Sequence, residues 1–136
     1  MVRPIIHDAL FLAQKSKPAD KSDAALISDL RDTLAANREG CIGMAANMIG
    51  VLKRMIIVSC EFGDMVMINP VICAKSGKYE TQEGCLSLAG VRNTTRYHSI
   101  EVRYLDENFT ARKRKFTELT AQIIQHECDH LDGILI

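Results

Sequence analysis

A chain of 136 residues carrying 17 basic and 17 acidic side chains has the length of one domain, 1–136, able to enclose a hydrophobic core without disulfides. Its balanced charge offers no broad field for a phosphate backbone or an anionic membrane surface, and no run approaches the roughly 20 apolar residues that cross a bilayer, so direct nucleic-acid binding and membrane insertion are set aside. Five cysteines without a paired rhythm suit a reducing, cytoplasmic setting in which a thiolate can serve as a ligand.

In chain order, Ala25, Leu26, Leu30 and Leu34 recur at helical spacing and predict a helix over 22–38, with Asp23 favouring its start and Gly40 placed to end it. Residues 41–50 are small and non-periodic and read as a loop pressed against other backbone, a candidate wall of a site. Strand-like runs follow at 55–59, at 65–68, at 71–74 after a break at Pro70, and at 99–105, where Ile100, Val102 and Tyr104 alternate. Asp106, Glu107 and Asn108 read as a turn, after which 109–116 alternates around Arg112, Lys113, Arg114 and Lys115, the pattern of an exposed edge strand guarded by charge. Thr117 is placed to cap a last helix and Glu118 matches its dipole, while Leu119, Ile123, His126 and His130 fall on one stripe that faces the interior. The expected class is α+β: one compact domain with small mixed or antiparallel sheets around a central helix.

That last helix carries the chemistry. His126, Glu127 and His130 form His-Glu-x-x-His, which on a helix turns two imidazoles to the same side, where one ion can take a nitrogen from each while the glutamate handles protons. A protein-held metal needs a third ligand. In zinc endopeptidases of the metzincin type it is a histidine six residues after the second, but that position is Ile136, so the ligand must come from upstream. Cys85, in Glu-Gly-Cys-Leu-Ser, is the best candidate: Gly84 permits close backbone approach, and the residues that follow can point peptide groups at a ligand. Cys41, Cys60, Cys73 and Cys128 read as structural or neutral, and His7 and His98 lack a partner pattern.

The segments Cys-Ile-Gly-Met-Ala-Ala-Asn-Met at 41–48, Glu-Gly-Cys-Leu-Ser at 83–87 and Gln-His-Glu-Cys-Asp-His at 125–130 together resemble the three ordered motifs of peptide deformylases. The resemblance implies Cys85, His126 and His130 as ligands of one divalent ion, natively ferrous iron with nickel, cobalt or zinc able to replace it. It also implies Glu127 as general acid/base, a metal-bound water as nucleophile, and N-formylmethionyl peptides or nascent chains as substrate for a monomeric enzyme. The backbone N–H of Leu86 would stabilise the developing oxyanion; Ile42, Gly43, Leu119 and Ile123 would line the methionine pocket, and Arg92 would contact the peptide. Glu83 and Arg96 resemble an ion pair that orients the metal-binding helix. The first motif departs from the family pattern Gly-x-Gly-x-Ala-Ala-x-Gln at two positions. Cys41 replaces the first glycine, and Met48 replaces the glutamine that supplies a second oxyanion donor. Asn47 carries an amide next door, but one residue of offset redirects a side chain. The alternative that Met48 raises is a catalytically weak homologue that keeps the metal and the peptide pocket for a binding or regulatory role.

Overall fold

The computed structural model covers residues 1–136. Five antiparallel strands, β1 (Gly43–Ala45), β2 (Met55–Cys60), β3 (Gly63–Gly84), β4 (Val91–Leu105) and β5 (Ala111–Thr117), lie side by side in chain order, a meander with β1 and β5 at its edges. Three helices accompany them, the single turn α1 (Ala9–Leu12), α2 (Ala25–Ala36) and α3 (Glu118–Leu131). The α3 helix lies across β1, β2, β4 and β5 and buries Ile124 and Leu131 completely, while α2 covers β1 and β2 with Leu30 and Leu34. Between them sits the core, with Met44, Ile56, Ile57, Met67, Ile68, Ile100 and Val102. No helix is long and apolar enough to cross a membrane.

The structure departs from the sequence expectations at several boundaries. The segment 41–50 is not a loop: Gly43–Ala45 form β1, paired to β2 with Met44 opposite Ile57, and Ala46–Ile49 form a 3₁₀ turn. Three residues are too few to show an alternation, and all three are buried. The break at Pro70 is a bulge inside one continuous strand. Asn69 there takes a left-handed φ of 52°, and its side chain bonds both the N–H and the C=O of Ala19 at 2.8 and 2.9 Å. The register slips between Ile68 and Val71, a place where a proline nitrogen with no hydrogen is tolerated. The strand expected at 99–105 begins eight residues earlier, and β3 and β4 form a long two-stranded arm pairing Gly84 with Val91 at its tip. Much of that arm is exposed, so no apolar pattern marks it.

The helix predicted over 22–38 starts later and ends earlier. Asp20 caps a 3₁₀ turn over Lys21–Asp23, in which Asp23 completes the capping box, and α2 follows from Ala25. Its end is tied by Asn37, whose amide donates to Thr33 O at 2.8 Å, so Gly40 is not its cap. Thr117 precedes α3 but its side chain accepts no capping bond; as the last residue of β5 it pairs with Ser99 of β4, and the chain passes from strand to helix with no linker. At the other end Gly133, with φ 76°, closes α3: its N–H bonds His130 O and that of Ile134 bonds Asp129 O, a Schellman motif.

Candidate metal centre

The α3 helix buries His126, Glu127 and His130 and points them at the tip of the β3–β4 arm, where Cys85 follows β3. The Nε2 atoms of the two histidines lie 3.1 Å apart, and Cys85 Sγ lies 3.3 Å from His130 Nε2. All three donor atoms fall within 4.8 Å of one another, the spacing of ligands about a single ion. The donor set fits a divalent transition metal: two imidazole nitrogens and one sulfur, with room left for a further ligand. The Ser87 N–H donates to Cys85 Sγ at 3.4 Å.

The surroundings fix these donors. Glu83 accepts from His126 Nδ1 at 2.6 Å, which leaves Nε2 as the atom that faces the cluster. Arg96 holds Glu83 through Nη2 at 2.7 Å and Nε at 3.0 Å, and reaches Asp129 on α3 through Nη1 at 2.8 Å. Burial opposes the Glu83 charge, but the bonds from His126, Arg96 and Gln122 outweigh it and hold the carboxyl at about 2. Burial likewise opposes charge on His126, yet its contacts with Cys85 and Glu83 push it up to about 10. His130 is pushed down to about 3 by burial and by the positive charge on His126. The two close imidazoles therefore do not both carry a positive charge.

Glu127 stands apart in character. It is 4% exposed, and its Oε1 has no hydrogen-bond partner. Burial pushes its carboxyl up to about 7, where proton uptake and release near neutrality are both accessible. Gly43 on β1 makes room for it: a Cβ at that position would stand 2.6 Å from Ile123 Cγ2 and 2.9 Å from Glu127 Oε2. Substituting Gly43→Ala is therefore expected to destabilise the fold by about 1–3 kcal/mol through overpacking. It should also lower turnover by about a hundredfold by displacing Glu127. A thermal melt and steady-state kinetics on the same preparation check both.

A cavity of about 260 Å³ opens above the cluster. Its wall contains the expected Ile42, Gly43, Leu119 and Ile123, together with Met48 and Leu86. Leu119 and Ile42 are 61% and 50% exposed, so they stand at the mouth, and Leu119 does not face the interior as its stripe suggested. Arg92 is not brought to this wall; it lies on β4 and donates to Ala89 O across its own turn at 3.4 Å. Cys41, read as structural, does line the cavity. Its thiol donates to Gly43 O at 2.9 Å and is pushed up to about 11 by burial, so it stands neutral. The Leu86 N–H has no acceptor within the chain. Met48 is 1% exposed and turns its sulfur to the Ala45 N–H at 3.4 Å, so it presents no donor to the cavity. Asn47 does not replace it, because its amide nitrogen is committed to His130 O at 2.9 Å. Sequence reasoning also passed over Gln122 and Asp129. Gln122 sits one turn before His126 on the same face of α3, the one signal that could have found it. His7 is not without a partner, since its Nδ1 pairs with Ser87 O at 2.9 Å and so ties the N-terminal segment to the Cys85 turn.

Residues 3–136 match the polypeptide deformylase family. A peptide deformylase of Clostridium beijerinckii is 56% identical over 136 residues, all of both chains. Another, from Chlorobium phaeobacteroides, is 40% identical over 147 aligned positions that take in 99% of this chain and 78% of the relative. Among solved structures, a class I type b peptide deformylase from Acinetobacter baumannii with Met-Ala-Ser bound superposes with a TM-score of 0.89 at 29% identity, covering 99% of this chain and 97% of that one.

Proposed function

The chain belongs to the polypeptide deformylase family, and from that premise we propose that it hydrolyses the N-formyl group of formylmethionyl peptides to formate and a free amine, with Cys85, His126 and His130 holding one divalent ion. The observation that carries this reading is the convergence of one sulfur and two Nε2 atoms beside a buried, partnerless Glu127 carboxyl at the floor of a cavity. The family resemblance implies ferrous iron as the native ion, and one sulfur with two imidazoles also suits nickel, cobalt or zinc. The ion would supply Lewis acidity toward the formyl oxygen and lower the pKa of a water at the site.

The protein's own groups do the rest. Glu127 takes a proton from the attacking water and returns it to the leaving nitrogen, so formate and a free amine are the only products. As the formyl oxygen gains charge, the free Leu86 N–H donates to it, and Met48 contributes no second donor. Ile42, Leu119 and Ile123 enclose the methionine side chain, and Gly43 keeps the wall thin enough for Glu127 to approach. Glu83, held by Arg96, keeps the His126 proton on Nδ1. The full-length relationship supports this enzymatic reading over one in which the cavity only binds peptide.

The 136 residues act as one domain, a cytoplasmic monomer whose partners are formylated peptides or nascent chains and not nucleic acid or membrane, consistent with the balance of 17 basic and 17 acidic side chains. Chelation is expected to abolish formate release, and ferrous iron or nickel added without oxygen to restore it. Cys85→Ala should lose stoichiometric metal binding and with it all turnover. Turnover that survives either treatment would remove the metal from the account.

A further inference from the structure

Gln122 has no place in the scheme above, yet it is the residue that joins the cavity wall to the support of the metal site. It lies on α3 one turn before His126, so the two side chains flank the Glu83 carboxylate from the same helix. His126 Nδ1 reaches Oε1 at 2.6 Å, and Gln122 Nε2 reaches Oε2 at 2.8 Å. Arg96 meets both oxygens, through Nη2 on Oε1 at 2.7 Å and Nε on Oε2 at 3.0 Å. Without Gln122, Oε2 would keep only the Arg96 Nε contact, and the orientation of the carboxylate toward His126 would rest on the Arg96 fork alone. Gln122 also lines the cavity beside Leu119 and Ile123, where an apolar residue would suit a methionine side chain better. A polar side chain held in that wall, half-buried and with its amide nitrogen turned onto a carboxylate, is explained by the carboxylate.

We propose that Gln122 is a positioning residue that pins the Glu83 carboxylate from the cavity side and thereby holds His126 Nε2 toward the ion. The inference rests on the reading of Cys85, His126 and His130 as a metal site, but it does not depend on what reaction the site performs. Groups that hold a metal ligand typically change affinity by about 10- to 100-fold when removed. Gln122→Met keeps the length of the side chain, removes the donor and leaves the wall apolar.

The test is the dissociation constant for Co²⁺ alone, measured by chelator competition on the full chain and followed through the cobalt visible spectrum, for the wild type, Gln122→Met, Glu83→Ala and the double variant. Far-ultraviolet circular dichroism of each apo form establishes that it is folded. The expected result is a loss in Co²⁺ affinity of about tenfold to a hundredfold in Gln122→Met with a shifted spectrum, and no further loss when the substitution is made on top of Glu83→Ala. Affinity within twofold of wild type would overturn the proposal. So would losses that multiply in the double variant, since Gln122 would then act by some route other than Glu83. Should Glu83→Ala fail to fold, Glu83→Met, which likewise has no oxygen to accept from Gln122, replaces it with the same expectation. A chain that binds Co²⁺ as described but releases no formate would sink the deformylase reading and leave this one standing.

Discussion

Replacing Glu127 with glutamine is expected to lower deformylation by about a hundredfold to ten-thousandfold while leaving the metal in place. Glutamine keeps the shape of the side chain but cannot take a proton from water at neutral pH, so the loss should fall on kcat with KM little changed. The same substitution should not destabilise the protein. Glu127 is buried, its Oε1 lacks a partner, and burial has pushed its carboxyl up to about 7, so the fold bears a desolvated acid that contributes nothing to packing that an amide would lose. Melting temperature at or above wild type together with collapsed turnover would mark Glu127 as a group retained for chemistry at the expense of stability. Unchanged turnover would remove it from the proton path.

Met48→Gln is the converse experiment, a substitution expected to improve the enzyme. The sulfur of Met48 now accepts from the Ala45 N–H at 3.4 Å; a glutamine there carries its amide one bond beyond the sulfur position, with an Oε1 that can accept from the same N–H and an NH₂ that can serve the cavity Met48 lines. One added donor to a developing oxyanion corresponds to about a hundredfold to thousandfold in turnover, with KM little affected. The gain carries a stability penalty. Met48 is 1% exposed, and an amide placed there without both its bonds in the resting protein would cost about 1–3 kcal/mol. Faster turnover in a less stable protein would show that the reaction is intact and short of one donor. No change in kcat would show that the oxyanion is met by other groups, the Leu86 N–H foremost.

How far the sequence could be read depended on how local each signal was. His126, Glu127 and His130 share one helix, so their spacing alone put two nitrogens on one face, and the structure places those nitrogens 3.1 Å apart. Cys85 was reachable because its neighbours form a distinctive turn, although its distance to His130 belongs to the β3–β4 arm, for which no periodicity exists in the exposed stretch from Lys75 to Lys78. β2 showed as a continuous apolar run buried on both faces, and the second half of β4 because its buried residues alternate. The short β1 did not, since its three residues are buried on both sides and its role is to let α3 approach Gly43. Arg92, offered as a peptide contact, lies on β4 outside the lining of the cavity. Gln122 was missed for another reason. Its amide matters only through Glu83, 39 residues away in the chain, and its place one turn before His126 does not by itself name that partner.

The measurement that bears most directly on the account is anaerobic turnover of formyl-Met-Ala-Ser by the full chain reconstituted with ferrous iron, with the ion quantified in the same sample and Glu127→Ala as the control for contaminating host enzyme. Anaerobic handling is required because a thiolate on ferrous iron is open to oxidation. One ion per chain and formate release that disappears in the control are the expected results. One tightly held ion per chain with no formate released would contradict the deformylase reading, and would make the cavity a place where peptides are bound and not processed.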